Sequence, residues 1–91
     1  MKLRTALGSV IQDTRLARGM TLRELHEVAD VSLGYISELE RGQKEASSEV
    51  LESLARGLST TVSDLVVDAG IRMADYEALI REAGSRSLAS T

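Results

Sequence analysis

Between Gly19 and Gly42 the chain reads GMTLRELHEVADVSLGYISELERG, and no other stretch constrains the fold as tightly. Thr21 and Glu24 form a capping box: the hydroxyl takes the N–H three residues on, and the carboxylate reaches back to the first N–H. Behind that box Leu22, Leu25, Val28 and Ala29 recur at helical spacing and predict a buried stripe. Asp30-Val31 makes a turn. Ser32 then caps a second helix, with Ile36 and Leu39 inward and Gly42 as its stop. The result is two short helices joined by a turn of three to four residues.

The flanking segments follow the same period. Leu7, Val10, Ile11 and Thr14 share one face of a helix predicted over 3–18, which Gly19 closes as a left-handed cap. After a polar loop at 43–46, Ser47 caps another helix, with Glu49 and Glu52 near the positive end of its dipole. Val50, Leu51, Leu54, Ala55 and Leu58 are its apolar face. Thr61, with Asp64 three residues on, repeats the capping box and starts a fifth helix with Leu65, Val66 and Ala69 turned inward. Gly70 either bends this helix or separates it from a sixth over 71–83. The end, SRSLAST, is small and polar and is expected to fray. With no strand pattern or Pro-rich linker, the expectation is an all-α chain. It divides into a domain over 1–60, a C-terminal helical segment over 61–84 and a flexible tail over 85–91.

Composition narrows the chemistry. Ninety-one residues with no Trp, no Phe and two Tyr must build an aliphatic core. The absence of Cys rules out disulfides and thiolate metal sites, and suits a cytoplasmic setting. A single His and no nucleophile–base pair leave no basis for an enzyme, a metal or a cofactor. No apolar run approaches the roughly 18 residues of a membrane span. The net charge is −3, with eight Lys/Arg against nine Asp/Glu in residues 1–58 and three against five in 59–91. Any basic face is therefore local, drawn from Lys2, Arg4, Arg18, Arg23, Arg41 and Lys44.

Two short helices around a tight turn form the layout of a helix-turn-helix, whose second helix can enter a DNA major groove. From about Leu3 to Leu65 the chain resembles the Cro/C1-type, lambda-repressor-like family. The resemblance rests on Arg15 before Gly19, then Thr21, Leu25, Val31-Ser32, Ile36-Ser37, Leu39-Glu40-Arg41-Gly42, and Leu54-Ala55 with Leu58. More narrowly, VSLGYISELERGQKEASSEVL is similar to the actinobacterial regulators of Clp protease genes. The resemblance implies a lambda-repressor-like domain of five helices plus a C-terminal extension, and an ion pair between Arg15 and Glu40 tying the first helix to the third. Three positions depart from the family. Leu22 stands where relatives carry a phosphate-binding Gln, His26 where they carry a small Ala, and Asp30 where the turn usually has Gly. Asp tolerates left-handed geometry better than most residues. His26 reads either as a packed structural ring or as a pH sensor.

The helix over 32–41 is then the reading helix. Ser32, Leu33, Gly34, Ser37 and Glu38 are the base-edge candidates. Leu33 offers apolar contact to a thymine methyl, the serines a hydrogen bond, Glu38 an acceptor for a cytosine amine, and Gly34 room for close approach. Phosphate contacts are expected from Thr21, Arg23, Tyr35, Arg41, Gln43, Lys44 and Ser47, helped by free N–H groups at helix starts. So few polar readers imply indirect readout of DNA shape as well.

Over 61–83 the chain carries more apolar residues than one small domain needs. Leu65, Val66, Ala69, Met73, Tyr76, Leu79 and Ile80 are read as a homodimer interface, the other possibility being that this face packs on its own domain. Two-fold partners suit a palindromic operator in double-stranded DNA. The expected function is sequence-specific transcription regulation. The resemblance implies activation of Clp protease and stress genes beside RNA polymerase. A small repressor or antitoxin-type regulator, and a protein-interaction module without DNA binding, are the alternatives.

Overall fold

A computed structural model describes the backbone of residues 1–89 and the side chains of residues 1–84. The elements are α1 (Leu3–Ala17), α2 (Leu22–Ala29), α3 (Leu33–Glu40), α4 (Ser48–Gly57) and α5 (Val62–Ala89). The caps form where the sequence places them. Thr21 and Glu24 exchange hydrogen bonds of 3.0 Å in a complete capping box. Ser32 Oγ accepts the Tyr35 N–H, Ser47 Oγ the Val50 N–H and Thr61 Oγ1 the Asp64 N–H. Gly19 ends α1 at φ +69°, a conformation glycine reaches without steric cost.

The core is aliphatic and draws on all five helices. Val10, Ile11, Leu25, Ile36, Leu54, Leu58 and Leu65 are its largest fully buried side chains, with Ala69 fully buried beside them. The first half of α5 thus belongs to the same globule as α1–α4. Arg72 reinforces it from α5, donating to Ser9 Oγ and pairing with Asp13 of α1 at 2.8 Å. Among the described residues no helix is long and apolar enough to cross a membrane.

Two inward assignments are corrected. Val28 is 60 % exposed, because α2 spends its core-facing surface on Leu25 and Ala29. Val66 is 44 % exposed, one step around α5 from the buried Leu65. Gly70 does not divide α5, which runs as one helix through it. The side chains of the expected tail, 85–91, lie outside the described residues.

Gly8 has a role that the sequence reading passed over. A Cβ there would sit 2.1 Å from the Leu39 carbonyl oxygen and 3.0 Å from that of Glu40. The middle of α1 therefore lies directly on the last turn of α3, closer than any side chain permits. Seven residues on, Arg15 locks the same contact. Its Nε and Nη2 donate to the two carboxylate oxygens of Glu40 at 2.8 and 3.0 Å, and Nη1 donates to the Met20 carbonyl at 2.8 Å. Both side chains are buried. The hydrogen bond to Glu40 raises the Arg15 pKa above its ordinary value, against desolvation, and the charge of Glu40 adds to the rise. The pairing with Glu40 thus favours the charged form of Arg15.

Candidate nucleic-acid interface

The surface around α3 is assembled from three pieces: the start of α2, the exposed side of α3, and the loop from Arg41 to Ser47. Ile36, Leu39 and Glu40 turn α3 inward. That leaves Ser32 and Gly34 exposed, and Leu33, Ser37 and Glu38 partly so. A Cβ on Gly34 would meet nothing within 4 Å. Its lack of a side chain is therefore not required by the chain's own packing, and the backbone there is open to close approach by another molecule. Ser32 has already accepted one bond, from Tyr35 N–H, so its hydroxyl hydrogen is what it can offer outward.

The same holds for the caps. Thr21 and Ser47 are exposed and use their hydroxyl oxygens on their own helices, which leaves the hydroxyl hydrogens for a phosphate. The Thr21 main-chain N–H is committed to Glu24. The unpaired N–H groups at this helix start are those of the first helical residues, Leu22 and Arg23. The Leu22 side chain packs partly buried against the core and gives a phosphate nothing.

Arg23 and Arg41 are exposed, with no ion pair among the described residues. Gln43 is exposed in the loop beyond them. Lys44 and Glu38, read separately as a phosphate ligand and a base reader, stand 3.9 Å apart and half-exposed. At that distance and exposure the pair contributes about 0–1 kcal/mol, small enough for DNA to part them.

Four expected roles are corrected. Tyr35 donates its hydroxyl hydrogen to the Glu45 carbonyl at 2.5 Å, so it fastens the 41–47 loop to α3 and has no hydrogen left for a phosphate. Arg18 donates to the Leu58 carbonyl at 2.8 Å and the Ser59 carbonyl at 3.3 Å. It caps the end of α4, a favourable place for a cation at a negative dipole end, and leaves the basic face. Leu65 and Ala69 are 1 % and 0 % exposed within their own chain, so they are spent before any partner arrives. Met73 is partly buried against the core, while Val66, Tyr76, Leu79 and Ile80 remain exposed. Val67 and Ile71 are exposed as well, and were not among the interface candidates. Arg4 pairs with the exposed Glu45 at 3.3 Å.

The chain matches the helix-turn-helix family over residues 11–65 and belongs to it. Fold and family together define a DNA-binding transcription regulator. Among particular proteins, the chain is similar to the transcriptional regulator ClgR of Mycobacterium tuberculosis, at 47 % identity over 79 residues, which are 87 % of this chain and 70 % of that protein. The crystal structure of the clp gene regulator ClgR from Corynebacterium glutamicum superposes with a TM-score of 0.84 at 45 % identity, covering 97 % of this chain and 92 % of that one. The restriction-modification controller protein C.Esp1396I, as a tetramer in complex with its natural 35 base-pair operator, matches at a TM-score of 0.68 and 25 % identity, over 76 % of this chain and 95 % of that one.

Proposed function

We propose that this chain is a homodimeric activator of Clp protease genes that reads a palindromic operator with the exposed side of α3 and stands beside RNA polymerase when bound. The observation that carries the reading is the likeness to ClgR, over 87 % of this chain in sequence and 97 % in structure. The surface supports it from below. Open backbone at Gly34, a partly exposed Leu33 and the free hydroxyl hydrogens of Ser32 and Ser37 offer short-range contact to base edges. Arg23, Arg41, Gln43 and Lys44 flank them with donors for phosphate. The exposed Val66, Tyr76, Leu79 and Ile80 on α5 supply the surface for a second copy.

The test is selection of binding sites from a random duplex pool, followed by affinity against salt for the winner and a scrambled duplex. A two-fold symmetric site bound at least about 10³-fold over scramble is expected. With about three phosphates neutralised per half-site, the salt slope comes to about −5. Arg41→Ala and Lys44→Ala should weaken binding to all duplexes alike and flatten that slope. Unchanged affinity and slope in both variants would sink the docking arrangement. A site overlapping the promoter core, with repression in a transcription assay, would favour the repressor reading over the activator.

A further inference from the structure

His26 lies outside the interface just described, yet it holds that interface's central turn. Its ring Nδ1 is 2.7 Å from the carbonyl oxygen of Val31. A carbonyl can only accept, so Nδ1 carries the hydrogen and donates it. The main-chain carbonyl of His26 accepts the Asp30 N–H at 3.1 Å. One residue thus grips the turn at both ends. Its carbonyl holds the last step of α2, and its ring holds the peptide immediately before Ser32, the cap of α3. Between these points Asp30 sits at φ 56°, ψ 40°, a left-handed conformation that strains an L residue with a side chain. The turn therefore has a strained residue where glycine would relax it, and a side-chain tether where a small residue would leave none. The ring is half-buried.

We propose that His26 is a positioning residue for sequence readout. Its bond to Val31 fixes the start of α3 relative to α2, and so fixes where Ser32 and Leu33 meet the base edges. This rests on the DNA-reading function proposed above. The division of labour across the turn gives the role its signature. Phosphate contacts from α2 and from the 41–47 loop are made by long or rotatable groups and tolerate a small tilt of α3. Contacts to base edges by Ser32, Leu33 and the Gly34 backbone are short and do not. Loss of the tether should therefore lower the affinity for the operator while sparing non-specific binding and the salt slope.

The experiment uses the full chain with His26→Ala, His26→Asn and His26→Gln, each bound to the selected operator and to a scrambled duplex. The Asn amide nitrogen falls where Nδ1 lies, whereas that of Gln reaches the position of Nε2. His26→Ala and His26→Gln should each reduce the ratio of operator to scramble affinity by about threefold to tenfold, the range expected for one hydrogen bond. The salt slope should be unchanged, and His26→Asn should retain the ratio. An unaltered ratio in His26→Ala, equal losses on both duplexes, or rescue by Gln or by neither amide overturns the proposal. A second measurement does not depend on how the variants fold. Ring ¹⁵N spectra of the unsubstituted protein at alkaline pH should show the Nδ1–H tautomer, and an Nε2–H tautomer overturns the bond itself. Failure of the unsubstituted protein to prefer operator over scramble would be different. It would remove the DNA-reading function, and the readout role of His26 with it, whatever the tautomer.

Discussion

Replacing Arg15 with Ala is the sharpest perturbation of this fold. The guanidinium makes three bonds, two to Glu40 and one to the Met20 carbonyl, and the Glu40 side chain is only 2 % exposed. Two opposing effects meet here. The intact pair contributes little net stability, since both charges lose their hydration on folding. Removing one partner is another matter, because a carboxylate with no other partner among the described residues is left under α1. That imbalance costs about 3–5 kcal/mol. A chain of this length has a total stability of roughly 5–14 kcal/mol, so Arg15→Ala consumes a large part of it. At about 4–8 °C per kcal/mol for a domain of this size, the midpoint should fall by at least about 12 °C. Urea unfolding followed by circular dichroism measures the loss. The control is the double replacement Arg15→Met with Glu40→Leu, which removes both charges and keeps apolar volume. It should recover most of the loss, or exceed the starting stability. A single-variant loss below about 1 kcal/mol, or a double variant no better than the single, would refute the reasoning that an orphaned carboxylate is what destabilises.

Three further outcomes are expected. Gly8→Ala should destabilise by about 1–3 kcal/mol or more, although alanine is the better helix former, because the added methyl strikes the backbone of α3; a gain in thermal midpoint would contradict the close approach. Ile80→Glu, at a side chain 54 % exposed, should yield a monomer by sedimentation with its helix content and core unfolding retained; a persisting dimer would place the interface elsewhere. Leu33→Ala should change preference at one or two base pairs by about 1–3 kcal/mol each, read on a set of singly substituted operators, whereas a uniform loss would make Leu33 a packing residue.

What could be read from the sequence was local. Thr21 with Glu24, Ser32, Ser47 and Gly19 act within one turn of themselves, so their spacing alone shows where helices begin and end. The core stripes of α1, α3 and α4 follow from period. What escaped depends on partners far away in the chain. Arg18 looked like a surface cation until α4 placed two carbonyls beside it, forty residues on. Tyr35 looked free until the loop brought back Glu45. Val28 fits the apolar period of α2, but the core meets that helix along Leu25 and Ala29 and leaves Val28 exposed. Gly8 did leave a signal. A glycine in mid-helix costs about 1 kcal/mol, and its place on the Leu7–Ile11 face points to close packing as the reason. For His26 the sequence offered a ring with no visible partner, because a backbone carbonyl five residues on leaves no trace in residue identities.

The unbroken course of α5 through Gly70 bears on how DNA is measured. The one helix has its inner half in the core, and its outer half carries the exposed apolar side chains proposed above to meet a second copy. A dimer joined along that outer half would have an unbroken helix leading from the joint into each core. The distance and angle between the two heads would then be properties of the protein and could not adjust to the site. Adding one base pair between half-sites rotates one face of the duplex by roughly 35° and shifts it by about 3.4 Å, given 10–10.5 base pairs per turn. A joint of this kind would resist that offset, leaving the DNA to twist or one head to let go. The chain would therefore act as a fixed-gap caliper, selecting operators by the interval between their halves as strictly as by the bases within them.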